Sequence, residues 1–309
     1  MLVAFCALSL FAWACVLLAP PQAHRLRERL DADPDAPSDL SAVAVLIPAR
    51  DEAATIGTTL AALAAQGGDL DVIVIDDQST DDTARVAVAV AAGCATLRLR
   101  VLAGQPLPAG WAGKLWALEQ GLAAVDKPFV LLLDADIELA PRMLPTLLCA
   151  ARQHDASLVS IMAELKRRHP PIWLGVSRSV RSLRVYTALG DFWSMVSRSA
   201  FTQLRYSTVL LLVTTALMLI VLLAPVAATV IAPLVGAWEL ATLGVLGWLG
   251  MSAAYWPVVR FYRLPAVWAL TLPVAAALFL AMTWSSAMSY WRGTRASWKN
   301  RRYDRALSP

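Results

Sequence analysis

The chain has 309 residues, 58% of them hydrophobic, with a mean hydropathy of +0.56 and a net charge of only +4. That is too apolar for an ordinary soluble domain and points to a membrane protein with a soluble part. No basic patch interleaved with aromatic residues stands in the soluble stretch, which argues against nucleic acid as a partner.

Residues 1–23 carry no side-chain charge, and the basic cluster His24-Arg25-Leu26-Arg27-Glu28-Arg29 follows them. A secretory leader has its basic residues first, so residues 1–23 read as an uncleaved transmembrane anchor. Basic residues on its carboxyl side put the following domain in the cytoplasm and the amino terminus outside. Residues 34–41 are polar and contain proline, and read as a linker. Residues 43–47 form a short apolar run rich in β-branched side chains, which predicts a buried strand ending at Pro48-Ala49-Arg50-Asp51-Glu52. A helix follows, with Ile56, Leu60 and Leu63 near helical spacing. Residues 72–75 are the next strand and close at Asp76-Asp77. Ser79 or Thr80 then caps a helix whose first turn holds Asp81 and Asp82, where the dipole favours acids. Residues 96–102 give a third strand, residues 111–125 a helix, and residues 129–133 a fourth, buried strand that ends at Asp134-Ala135-Asp136. Strands alternating with helices predict an α/β fold with a parallel sheet and ligands at the strands' carboxyl ends. The segments at 48–52, 76–77 and 134–136 all fall on that edge.

The second half holds three further apolar stretches, at 207–238, 241–259 and 264–291, followed by a basic tail at 292–309. Residues 207–238 are uncharged and long enough to cross a bilayer. Pro265 and Pro273 make 264–291 the weakest helix. Four full crossings from an outside amino terminus leave the basic tail outside, against the positive-inside tendency, so either one stretch is re-entrant or the count differs. The organisation expected is an anchor at 1–23, a soluble domain at 24–206, a membrane region at 207–291 and the tail, which reads as a lipid-headgroup contact.

Two carboxylates one residue apart, just past a strand, face one side of a turn, and a cation between them relieves their repulsion. A hard divalent ion, Mg²⁺ or Mn²⁺, suits Asp134 and Asp136 and usually accompanies a phosphate. The alternative is a loop with helix-capping acids. Asp76 and Asp77 either hydrogen-bond a ribose or nucleobase or form a solvated Asx turn. Lys114, in Gly110-Trp111-Ala112-Gly113-Lys114-Leu115-Trp116-Ala117, either neutralises a phosphate or is an exposed lysine opening a helix. It is not a P-loop lysine, since neither Ser nor Thr follows it. Arg50, Asp51 and Glu52 contact a ligand or are only a charged loop. A haloacid-dehalogenase-type phosphatase motif fails at Glu138, and a receiver domain needs neither Gly113-Lys114-Leu115-Trp116 nor membrane helices. The four cysteines show no C-x-x-C and read as reduced, buried thiols. His154 and His169 have no ligand spacing.

These residues resemble a known pattern. Val45-Leu46-Ile47-Pro48-Ala49-Arg50-Asp51-Glu52, the run from Val74 through Asp76-Asp77 to Thr83, Gly113-Lys114 and Leu133-Asp134-Ala135-Asp136 look like a family 2 glycosyltransferase of GT-A fold. Residues 106–117, Trp173-Leu174-Gly175, Val180-Arg181-Ser182-Leu183-Arg184 and residues 201–207 are similar to the hopene-associated glycosyltransferases, relatives of ceramide glucosyltransferase. The resemblance implies an α/β domain with a GT-A-like, mostly parallel sheet plus transmembrane α-helices. It implies transfer of a sugar from a nucleotide sugar, a UDP-sugar by preference, to a membrane lipid acceptor of hopanoid type. Pro48, Arg50 and Glu52 would line the nucleotide pocket, and Asp51 stands where the family commonly has Asn. Asp76 and Asp77 would hold the uridine-ribose side, Lys114 would reach the diphosphate, and Asp134 and Asp136 would flank the metal. Arg205-Tyr206, which otherwise reads as an interfacial anchor, looks like the family's late Arg-aromatic element near the acceptor.

One departure affects the chemistry. After residue 163 the family continues for several dozen residues that carry a Gly-rich acceptor segment and the general base. Here Glu164-Leu165-Lys166-Arg167-Arg168 runs almost directly into Ile172-Trp173-Leu174-Gly175. The domain therefore reads as truncated, with no base identified; Glu164 and Asp191 are the nearby acids and neither takes the role. The competing reading is a degenerate, non-catalytic membrane protein that retains nucleotide binding.

Overall fold

The computed structural model of the chain describes residues 2–18, 26, 28–156, 158–160, 172–174, 176–293, 297–298 and 301–302. Glu164, the arginines at 25 and 27, His169, Gly175 and most of the basic tail lie outside the described residues. Two compact units are present: Met1–Arg27 with Tyr186–Ala296, and Glu28–Val185 with Ser297–Pro309. Helix α1 (Leu2–Leu18) opens the chain and belongs to the first of them.

In the second unit, β1 (Val43–Ala49), β2 (Leu70–Asp76), β3 (Leu97–Ala103) and β4 (Phe129–Leu132) form a parallel sheet in the order β3-β2-β1-β4. All four strands stand where the apolar runs predict them. β1 is buried along its whole length because helices cover both faces of the sheet. Val43, Val45 and Ile47 share one layer with Ile56, Leu60 and Leu63 of α2 (Ile56–Ala64) and Ala87 of α3 (Thr83–Ala92). Leu46, Ile73 and Ile75 face the other way, against Ala117 of α4 (Gly113–Leu122). Gly121 lets α4 approach: a Cβ there would stand 2.7 Å from Cδ1 of Ile75. The chain continues through β5 (Ile137–Leu139) and α5 (Met143–Gln153), which packs into the first layer, to β6 (Leu158–Ser160) and β7 (Ile172–Leu174), a parallel pair. β8 (Val180–Ser182) returns antiparallel to β5. Asp31 pins the segment before β8, accepting from the backbone N–H and Nη2 of Arg178 at 2.7 and 3.2 Å.

Local expectations needed correction in four places. α3 begins at Thr83, and neither Ser79 nor Thr80 caps it; Asp81 Oδ1 accepts from the Thr83 N–H at 3.0 Å, and Asp82 at the cap position makes no side-chain cap bond. Ser79 and Thr80 are engaged by Asp51 instead, a tertiary partner that outcompetes the cap. Residues 34–41 are no free linker: Ala36 and Leu40 are buried, and Arg142 Nε donates to the Pro34 carbonyl at 3.2 Å. β4 is an edge strand rather than a buried one, with Leu132 54% exposed. All four thiols are free, but only Cys6 is buried; Cys15 is exposed, and Cys94 and Cys149 are half-buried.

The first unit is helical. α6 (Leu189–Ser197) and the short α7 (Ala200–Gln203) precede three helical stretches long and apolar enough to cross a membrane: Thr208–Val235, Trp238–Phe261 and Ala266–Trp291. They contain α8 (Thr208–Met218), α9 (Ala224–Ile231), α10 (Trp238–Phe261) and α11 (Leu272–Trp291). Leu219–Leu223, between α8 and α9, is π-helical. Pro225 lacks the N–H that would bond the Val221 carbonyl one turn back. That carbonyl accepts Ser9 Oγ at 2.7 Å and Trp13 Nε1 at 3.1 Å, both from α1. The glycines of α10 allow the close packing this requires. A Cβ at Gly244 would meet the Pro225 carbonyl oxygen at 2.6 Å, one at Gly247 the Pro225 Cβ at 3.1 Å, and one at Gly250 the Trp13 Cβ at 3.1 Å.

Gly244→Ala should therefore lower the stability of the full-length chain by about 1–3 kcal/mol, read as the thermal midpoint in detergent. Gly190→Ala, where a Cβ meets nothing within 4 Å, is the control and should not lower it.

Candidate functional site

The site stands at the carboxyl edge of the sheet. β1 lies between β2 and β4, so the loop after β1 is flanked by the loops after both neighbours. Strand spacing sets the scale at about 10 Å from the β2 loop to the β4 loop. Pairing of β1 with β4 ends at Leu46, whose carbonyl still accepts the Leu133 N–H at 3.0 Å. Pro48, two residues on, therefore sacrifices no ladder bond on that side.

The loops after β1 and β2 are locked together. Arg50 Nη1 donates to the Asp77 carbonyl at 2.7 Å, and the Asp77 N–H donates to the Ala49 carbonyl at 2.8 Å. Asp51 Oδ1 accepts from the Thr80 N–H at 2.7 Å, the Asp51 N–H donates to Ser79 Oγ at 3.0 Å, and the Glu52 N–H donates to Thr83 Oγ1 at 2.8 Å. Asp51 has φ +50°, a conformation that Asn and Asp tolerate best, so Asp here keeps what the more usual Asn supplies. Asp76 makes the Asx turn, its Oδ1 accepting from the Ser79 N–H at 3.0 Å. Asp77 is only 1% exposed. Gly104 closes against both: its N–H donates to the Asp76 carbonyl at 2.8 Å, and a Cβ there would come within 2.9 Å of that oxygen.

The loop after β4 brings in opposite charges. Lys114 Nζ pairs with Asp134 Oδ1 at 2.5 Å, uniting two predicted residues across the helix α4 and the strand end. Arg184, just past β8, pairs through Nε with Asp136 Oδ2 and through Nη2 with Glu52 Oε1, both at 3.1 Å. Its backbone position is fixed by the β5–β8 ladder and by the Leu183 N–H, which donates to the Asp136 carbonyl at 2.6 Å. Sequence reading gave Arg184 no role. The signal available was its motif Val180-Arg181-Ser182-Leu183-Arg184, but only the fold shows that Arg181 goes to Glu138 and Arg184 to the site.

Asp136 is 16% exposed and its carboxyl is held above the usual aspartate range. Burial is the main cause; the attraction of Arg184 opposes it, and the charges of Glu52 and Asp134 add to it. Such crowding of carboxylates fits a hard divalent ion. Among the described residues no group of three His, Cys, Asp or Glu side chains forms a complete metal site. Two carboxylates with the remaining positions left to phosphate and water is the usual Mg²⁺ arrangement at nucleotide sites, so Asp134 and Asp136 fit the ion, which as a Lewis acid would neutralise a departing diphosphate. Arg50 fits an anionic or carbonyl-bearing ligand. Its side chain is 11% exposed, its Nε has no hydrogen-bond partner among the described residues, and Asp51 Oδ2 at 3.8 Å is too distant to serve.

Other predicted residues lie elsewhere. Asp191 opens α6 in the helical unit. Arg205 and Tyr206 are also there, both with positive φ, and Tyr206 stacks on Tyr290 with centroids 4.5 Å apart. His154 is exposed at the end of α5.

A doubly covered parallel sheet with this acidic carboxyl edge defines an α/β protein of GT-A type. Residues 44–218 match the model of the glycosyl transferase family 2, and the chain belongs to that family. Among solved structures it is similar to the mannosyltransferase PcManGT from Pyrobaculum calidifontis in complex with GDP-Man and Mn²⁺, at 15% identity and a TM-score of 0.52, over 96% of this chain and 100% of that one. That likeness is one of fold. Shorter matches are to S. aureus TarS (24% identity, TM-score 0.32, 42% of this chain and 23% of that one) and to the Mycobacterium tuberculosis glucosyl-3-phosphoglycerate synthase in complex with Mn²⁺, UDP and phosphoglyceric acid (26%, 0.28, 36% and 38%). The chain thus spans less than half the length of these two. No curated protein matches it.

The raised pKa of Asp136 has a definite sign for stability. Because the folded value lies above the unfolded one, its contribution is fully present below the ordinary aspartate range and is lost as pH rises through the folded value. Asp136→Asn should therefore make the metal-free protein more stable at neutral pH and flatten the pH dependence of its unfolding above the ordinary aspartate range. Denaturant unfolding across that range checks it; a variant less stable than wild type at neutral pH contradicts it.

Proposed function

We propose that the chain is a membrane-bound glycosyltransferase that takes a sugar from a nucleotide sugar, a UDP-sugar by preference, and delivers it to a membrane lipid of hopanoid type. The observation that carries this reading is the grouping of Glu52, Asp134 and Asp136 with Arg184 and Lys114, beside the unsatisfied Nε of Arg50. Pro48, Arg50 and Glu52 would border the nucleotide, Asp76 and Asp77 its ribose side, and Lys114 the diphosphate. Asp134 and Asp136 would hold Mg²⁺ or Mn²⁺. PcManGT, which shares the fold, is in complex with GDP-Man and Mn²⁺, which supports a metal-assisted donor site. The apolar helices support delivery to a lipid, and the basic residues after α1 support a cytoplasmic catalytic domain at the plasma membrane, behind an uncleaved anchor. The motifs quoted for the hopene-associated subtype support that branch of the family.

A second reading has its own support. Only residues 161–171 separate β6 from β7, where that subtype carries several dozen residues with the general base. On this reading the protein keeps nucleotide binding and has lost turnover. Calorimetry of the full-length chain with UDP and Mn²⁺, beside a transfer assay with UDP-sugars and lipid extract, separates the two. Transfer supports the enzyme, and binding without transfer supports the second reading. Asp136→Ala should abolish Mn²⁺-dependent binding and any transfer; an unaltered response removes the metal assignment.

A further inference from the structure

We infer that Arg184 is a resident counter-ion of the metal carboxylates, which gives way to the divalent ion and then binds the diphosphate. The inference rests on the donor-site reading above and assigns a ligand-binding role to a residue outside that reading's set of ligand contacts. Three carboxylates, Glu52, Asp134 and Asp136, are met by two cations, Lys114 and Arg184. Arg184 takes the two inner ones in a single span, 3.1 Å from each, while Lys114 takes the outer, half-exposed Asp134. An oxygen committed to a guanidinium is a poorer metal ligand, and a cation at that distance repels the incoming ion. Metal and Arg184 therefore compete for Asp136.

The competition is local and reversible by construction. The backbone of Arg184 is tied to the metal loop through the Leu183 N–H and the Asp136 carbonyl, so a displaced guanidinium stays beside the site. Its side chain is 36% exposed, which leaves it free to turn outward. Once the ion has neutralised the carboxylates, a planar five-donor fork beside it is suited to the oxygens of a diphosphate. Metal alone must then bind weakly and metal with diphosphate strongly, and by thermodynamic reciprocity each ligand tightens the other.

The test uses the full-length chain in detergent, with Mn²⁺ binding read by electron paramagnetic resonance, alone and with UDP or GDP. Arg184→Gln should bind Mn²⁺ alone at least about tenfold more tightly than wild type, because the competing charge is gone. The factor by which the nucleotide tightens Mn²⁺ should shrink by about as much. Arg181→Gln, which breaks only the exposed pair with Glu138, should leave Mn²⁺ affinity within about twofold, as exposed pairs are weak. A second measurement needs no variant: phenylglyoxal modification of wild-type Arg184, followed by mass spectrometry, should speed up on adding Mn²⁺ alone, with Arg181 unaffected. Equal or weaker Mn²⁺ binding by Arg184→Gln, or no Mn²⁺ effect on Arg184 modification, overturns the inference and leaves the donor site standing. No Mn²⁺ binding by either protein, with or without nucleotide, overturns both.

Discussion

The structure of the α/β unit turns on the electrostatics of one sheet edge. A parallel sheet covered on both faces has nowhere to place polar loops except at its ends, and three neighbouring strands deliver acids to the same end. Asp77 and Asp136 are taken largely out of water there, beside Glu52 and Asp134. Ionised groups in that position survive only with compensating charge or hydrogen bonds. Arg50, Lys114 and Arg184 supply the charge. Much of the surrounding architecture serves to place them: Gly113 opens α4 directly before Lys114, and the β5–β8 ladder brings Arg184 back to the edge.

What the sequence made legible follows from how far each interaction reaches along the chain. Strands buried on both faces read as continuous apolar runs, so β1 and β2 and the acids at their ends could be placed residue by residue, and the apolar run of the edge strand β4 placed it the same way. Ile56, Leu60 and Leu63 showed the buried face of α2 through spacing alone. The pairing of Lys114 with Asp134 joins residues that the motifs had already singled out, only 20 positions apart. Arg184 was hidden because its partner Glu52 lies 132 positions away and nothing local marks it. Ser79 and Thr80 misled for a related reason. A hydroxyl before a helix is a good cap until a distant partner claims it, and Asp51, 28 and 29 positions back, does so, donating its N–H to Ser79 Oγ and accepting from Thr80 Oγ1. Residues 34–41 looked like solvent-exposed linker by composition, yet a single leucine, Leu40, carries the segment into the core.

The helical unit follows the same logic in an apolar setting. Hydropathy exposes its long helices, but not the way α1 joins them. Pro225 leaves one carbonyl, that of Val221, without its helical donor, and Ser9 supplies a donor from 212 positions away. In an environment with no water to substitute, such a group must be satisfied by protein, so the proline and the docking of α1 belong to one arrangement. Gly244, Gly247 and Gly250 mark the close approach, and their three-residue spacing was visible but carried no partner on its own. In both units the local sequence creates an unmet polar demand, and only the tertiary fold shows which distant residue meets it.

On the proposed reading, a metal position with only two protein carboxylates among the described residues is itself a functional argument. A third protein ligand would hold the ion whether or not a nucleotide were present, and would occupy a position the diphosphate needs. On the proposed reading, with Asp134 and Asp136 as the protein ligands, the shell would close only when phosphate oxygens entered, so that ion and diphosphate would be recognised as a unit. Counter-ions within reach of those carboxylates then have two tasks at different moments. Before binding they offset the repulsion within a half-buried acidic group, and after it they would face a ligand rich in oxygen. Lys114, paired with the half-exposed Asp134, and Arg184, paired with the more buried Glu52 and Asp136, would serve both on that reading, so the charge balance of this edge matters more than any one residue.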